Sequence, residues 1–204
     1  MRYAMSGQLG SDNWQLTERD CCALVVIDVQ DYFLDKLPLH WREPLVERMA
    51  WLMRVARILD IPIVATAEDV ERDGPLVPAL AELMPADSPP VLNKMVFGLY
   101  GQADTCEAVE ATGRTHFVLV GLETDVCIAQ SALGLRAAGY RVSVVEDACG
   151  SPPPNHDVGI ARLRDAGVLV TTAKSVFYEW ARDLETMHRV RTELNVPIPA
   201  GMTL

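Results

Sequence analysis

The stretch Ala23-Leu24-Val25-Val26-Ile27-Asp28 decides the architecture. An unbroken apolar run rich in β-branched residues and closed by a carboxylate reads as a strand covered on both faces, because a half-exposed strand alternates apolar with polar residues. Five further runs resemble it: residues 61–65, a weaker Val91-Leu92 stub, and residues 117–120, 142–145 and 168–170. Segments of helical spacing lie between them. In residues 44–59, Leu45, Met49, Leu52, Val55, Ala56 and Leu59 follow the 3.6 period, and Pro44 suits a first-turn position. Residues 107–112, 128–138 and 158–166 repeat the pattern, with Gly113, Gly139 and Gly167 placed to accept the left-handed conformation that ends a helix. Strand and helix alternate along the chain, and parallel neighbours need such crossovers. The expected fold class is α/β, a doubly wound three-layer α/β/α sandwich on a six-stranded, mostly parallel sheet. Residues 1–20 read as an N-terminal arm and residues 21–204 as one domain. Residues 177–194 read as its closing helical segment.

Composition narrows the function classes. Eighteen basic against 28 acidic residues leave a net charge of −10, so the phosphate-neutralising surplus of a nucleic-acid binder is missing, and an anionic membrane is an equally poor partner. No apolar run reaches the ~20 residues that a membrane span requires. Cysteines at 21, 22, 106, 127 and 149 form no C-x-x-C pair, which suits neither a disulfide framework nor a thiolate zinc site and points to a reducing, cytoplasmic setting. His40, His116, His156 and His188 are scattered among different elements, so no metal is expected. Without a G-x-G-x-x-G after a strand, no dinucleotide cofactor is expected either. The expected partner is a small-molecule substrate.

In open parallel sheets, ligands gather beyond the carboxyl ends of the strands, near the point where strand order reverses. Asp28 follows the first strand, Lys94 follows the Val91-Leu92 stub, and Cys127 lies in the turn before the helix near Ile128, so all three fall on one rim. A thiol at a helix N-terminus meets the positive end of the macrodipole and exposed N–H groups; both favour thiolate, and the N–H groups can receive an oxyanion. Attack by that thiol needs a proton acceptor and a balancing cation, and Asp28 and Lys94 have the right chemistry. Each residue type also has a structural use: cysteine as a small buried hydrophobe, aspartate as a turn residue, lysine as solvated surface.

The surrounding words add to this reading. Val26-Ile27-Asp28-Val29-Gln30-Asp31-Tyr32-Phe33, Asn93-Lys94-Met95-Val96-Phe97 and Val120-Gly121-Leu122-Glu123-Thr124-Asp125-Val126-Cys127-Ile128, in this order, resemble the isochorismatase-like (cysteine hydrolase) superfamily. The likeness runs from about residue 23 to residue 170 and continues in Gly139-Tyr140-Arg141-Val142 and Glu146-Asp147-Ala148. It implies that Asp28, Lys94 and Cys127 form an Asp-Lys-Cys triad and that the Leu122–Glu123 peptide is cis. It also implies that the N–H groups of Val126 and Cys127 face the oxyanion, and that Phe33, Glu123 and Val126 contact substrate. A homodimer or homotetramer is implied as well. Relatives that hydrolyse nicotinamide carry an Asp-x-His motif after the second strand; here that region reads Ala65-Thr66-Ala67-Glu68-Asp69-Val70 and has no histidine. Isochorismatases proper cleave an enol ether by acid catalysis and need no cysteine. The retained Cys127 therefore points to hydrolysis of a C–N bond in a small amide or carbamoyl substrate through a thioester. Enol-ether cleavage with Asp28 as the acid is one alternative, and a non-catalytic binding protein of the same fold is the other.

Overall fold

A computed structural model describes residues 16–204, so most of the expected arm lies outside the described residues. Six strands form one sheet: β1 (Cys22–Ile27), β2 (Ile63–Glu68), β3 (Leu92–Lys94), β4 (His116–Leu122), β5 (Arg141–Gly150) and β6 (Leu169–Thr171). Their order is β3-β2-β1-β4-β5-β6 and every neighbouring pair is parallel, so the sheet is wholly rather than mostly parallel. The helices are α1 (Asp31–Leu34), α2 (Leu39–Ile58), α3 (Val70–Asp73), α4 (Pro78–Ala81), α5 (Ala103–Ala111), α6 (Ala129–Ala137), α7 (Asn155–Asp165), α8 (Ala173–Ala181) and α9 (Leu184–Leu194).

The pleat of β1 explains the three layers. Cys22, Leu24 and Val26 point into a core shared with α2, α4, α8 and α9, while Ala23, Val25 and Ile27 point into a second core shared with α5, α6 and α7. Every residue of β1 is fully buried, which is why its sequence is apolar without alternation. Order reverses between β1 and β4, the place where a doubly wound sheet opens a crevice.

Gly121 lets these two central strands meet. It pairs with Ile27 at φ +129°, and a Cβ built there would lie 2.0 Å from the Ile27 carbonyl oxygen, a clash that no side chain survives.

Two helix boundaries differ from the periodicity. α2 starts at Leu39 behind Pro38, which places Pro44 inside the helix instead of in its first turn. The closing segment is two helices, because Arg182 turns the chain at φ +66° and the Asp183 carboxylate then accepts the Thr186 N–H at 2.7 Å, starting α9 afresh. Ahead of β1, buried Thr17 donates its N–H to Glu179 of α8 at 2.6 Å. Among the described residues, no helix is long and apolar enough to cross a membrane.

Candidate active site

Four adjacent strands deliver four polar side chains to one point. Lys94 ends β3, Glu68 ends β2, Asp28 follows β1, and Cys127 lies in a π-type turn (Thr124–Ile128) between β4 and α6. The register sets their approach: Glu68 pairs with Lys94, and the Asp28 N–H donates to the Thr66 carbonyl at 3.1 Å. Asp28 itself takes φ +52°, which swings the chain off the strand. Gln30 then holds the end of β2 by both edges of its amide, accepting the Glu68 N–H and donating to the Glu68 carbonyl, each at 2.7 Å.

The Lys94 ammonium is the hub. Its Nζ lies 2.8 Å from Asp28 Oδ2, 3.2 Å from Glu68 Oε2 and 3.7 Å from Cys127 Sγ, and it donates to the Val96 carbonyl at 2.6 Å. The Thr66 hydroxyl donates to Asp28 Oδ1 at 2.7 Å, and the Cys127 thiol donates to Glu68 Oε2 at 3.2 Å. Relative exposures are 0 % for Lys94, 1 % for Asp28, 2 % for Cys127 and 8 % for Glu68, so these interactions act with little solvent screening. Asp28, Glu68 and Cys127 place three potential ligand atoms within 4.8 Å of one another, the spacing of a small cation site. The ammonium of Lys94 supplies the cation for all three.

Burial raises the Asp28 carboxyl above the ordinary carboxylate range, with Lys94 and the Thr66 hydroxyl working against the rise. Burial also acts to discharge Lys94, but the neighbouring acidic groups, Asp28 foremost and Glu68 with it, outweigh it and hold the proton on the amine. The thiol departs from the expectation of a helix-activated thiolate. Burial first, and the Asp28 charge second, push the Cys127 thiol well above its ordinary value, and Lys94 only partly opposes them. Cys127 therefore rests as a thiol, and its activation requires moving the proton to a neighbouring base.

Asp28, Lys94 and Cys127, from three distant stretches of sequence, thus meet around one ammonium. The Leu122–Glu123 peptide is cis. Val126 donates its N–H to the Glu123 carbonyl at 3.2 Å, so that donor is already engaged. Phe33 is buried in the larger core, and the Lys36 ammonium lies 4.3 Å above its ring and 3.5 Å from the Glu123 carboxylate. Glu68, Thr66 and Gln30 went unrecognised in the sequence. The available signal was a glutamate two residues past a threonine at the end of a strand, polar residues where the run of apolar ones had stopped.

The model of the isochorismatase domain matches residues 22–175. The chain belongs to the isochorismatase family. Mouse isochorismatase domain-containing protein 2A is 30% identical over 182 residues, which cover 86% of this chain and 84% of that protein. Among solved structures, YcaC from Pseudomonas aeruginosa, with hexane-2,5-diol and covalent acrylamide, superposes with a TM-score of 0.78 at 28% identity, covering 88% of this chain and 92% of that one. The ycaC gene product from Escherichia coli, an octameric hydrolase of unknown specificity, gives a TM-score of 0.80 at 25% identity, covering 89% of each chain. The matched residues of this isochorismatase-family hydrolase contain all four groups of the cluster.

Proposed function

We propose that this protein is a cysteine hydrolase that cleaves a C–N bond of a small amide or carbamoyl substrate through a thioester on Cys127. The observation that carries the reading is one sulfur set 3.7 Å from an ammonium and within 4.8 Å of two carboxylates, all buried. The scheme is metal-independent, since Lys94 supplies the positive charge that a metal ion would otherwise bring. The thiol passes its proton to a carboxylate of the cluster, for which the sequence names Asp28, and the sulfur attacks the carbonyl carbon. The tetrahedral oxyanion rests on the Cys127 N–H, the amine leaves with a proton, and water then hydrolyses the thioester. Phe33, Glu123 and Val126 are assigned to the substrate side of the sulfur.

Self-assembly into a homodimer or homotetramer belongs to this reading, supported by the octamer of the Escherichia coli relative. The five unpaired cysteines support a reducing compartment, the cytoplasm.

Trapping with slowly turned-over amides tests the nucleophile. Mass spectrometry is expected to find the acyl adduct on Cys127 and C127A to lose turnover. An adduct on another residue overturns the assignment. The raised Asp28 carboxyl and the protonated thiol favour a second reading, in which Asp28 acts as the acid on an enol ether. Undiminished turnover by C127A would select that reading.

A further inference from the structure

We propose that Glu68 is the acid–base residue of this site, taking the Cys127 thiol proton and handing it to the departing amine, while Asp28 holds Lys94 in place. The inference rests on the reading of Cys127 as the nucleophile and assigns the proton's route within it. Asp28 Oδ1 accepts the Thr66 hydroxyl at 2.7 Å, and Oδ2, which accepts no hydrogen bond among the described residues, is held by its ion pair with the Lys94 ammonium at 2.8 Å. The Cys127 sulfur has its short carboxylate contact with Glu68 Oε2, 3.2 Å away.

Glu68 is also the least deeply buried of the four groups, at 8 % exposure. Its second oxygen, Oε1, lies 3.8 Å from the guanidinium of Arg72, a largely exposed side chain on α3. One oxygen thus meets the sulfur while the other lies beside a largely exposed guanidinium, an arrangement that suits a proton carrier. Gln30 fixes the Glu68 backbone on both sides, so the carboxylate is aimed by its strand.

The steps balance. The S–H bond breaks and its proton goes to the Glu68 carboxylate as the sulfur forms a bond to the carbonyl carbon, whose π pair moves to oxygen. When that pair returns, the C–N bond breaks and the nitrogen takes the proton from the Glu68 carboxyl. Water then gives a proton to the Glu68 carboxylate and adds to the thioester. The C–S bond breaks, and the thiolate reclaims the proton.

The test separates proton holding from packing. The groups facing the sulfur are Asp28 from β1, Glu68 from β2 and Lys94 from β3, and Arg72 of α3 backs Glu68. Iodoacetamide labelling is followed by peptide mapping across neutral to alkaline pH, because exposed Cys21 reacts as well. In E68Q the Cys127 rate is expected to rise at lower pH than in the parent, since the acceptor and its negative charge are gone. With 4-nitrophenyl acetate, whose leaving group needs no proton, acyl-Cys127 is expected to accumulate in E68Q while its hydrolysis slows by roughly 100-fold, the lower end of general acid–base effects. An unmoved labelling profile or undiminished deacylation overturns the role of Glu68. If E68Q does not fold, E68D decides by the same deacylation rate, expected to fall and overturning the role if unchanged. Absence of any adduct on Cys127 in the parent protein instead defeats the nucleophile reading.

Discussion

At the amino end of the sheet His116 is buried as completely as Lys94 is at the carboxyl end, yet the two bases meet opposite fates. His116 Nε2 lies 2.7 Å from the Ser143 hydroxyl, Nδ1 meets no partner among the described residues, and no carboxylate ion-pairs with the ring there. Burial, helped by the Arg141 charge, lowers its pKa to about 4, so the imidazole is neutral at physiological pH. Lys94 keeps its charge because two carboxylates and a carbonyl close around it. Burial alone discharges a base, and only assembled counter-charges retain it. Among the described residues the chain assembles them around Lys94 and not around His116, which is why the candidate site is placed at the carboxyl rim.

Removing the hub breaks the contrast most severely. Lys94→Met removes the cation between two buried carboxylates, and the expected loss is about 3–5 kcal/mol in urea unfolding at neutral pH, shrinking in acid as the carboxyls take up protons. A variant as stable as the parent would mean that the charges are not interdependent.

The other end is sharpened by pH. The His116 pKa falls from 6.5 unfolded to about 4 folded, so the unfolded chain binds more protons in that window. Its contribution is complete above pH 6.5 and is lost as pH falls through about 4. The shift corresponds to about 3 kcal/mol. His116→Gln cannot titrate, and its stability is expected to fall less than the parent's over this range by up to that amount. Parallel curves for the two proteins would contradict a neutral buried ring.

A second lysine, Lys36, gives the smallest effect. Lys36 reaches Glu123 at 3.5 Å with about a third of its side chain exposed, and solvent screens the pair. Lys36→Ala is expected to change stability by no more than about 1 kcal/mol in the same denaturation assay.

What the sequence revealed follows the same division. Apolar runs announce themselves, even the short half-buried ones of β3 and β6, so all six strands and the rim positions of Asp28, Lys94 and Cys127 are legible. The apolar run places β2 at residues 61–65, whereas the strand spans Ile63–Glu68 and continues through Thr66 and Glu68, polar residues that Asp28, Lys94 and Cys127 keep inside. The apolar run of β5 stops at Val145 for a similar reason, while its ladder resumes beyond a bulge and runs to Gly150. The state of the thiol is not legible because a helix terminus is visible in sequence, whereas the burial that raises the thiol most, and the Glu68 carboxylate beside it, are not. Polar residues stay hidden from pattern reading wherever their partners are distant in the chain.

Gly121 has a consequence for inheritance. It carries no charge and touches no proton, yet it allows the strand that feeds the sulfur to lie flush against the strand that feeds Asp28. Any heavier amino acid there would wedge the two apart and misalign the chemistry while leaving all four polar residues intact. A descendant of this gene could thus lose its activity yet pass every inspection confined to the reactive side chains.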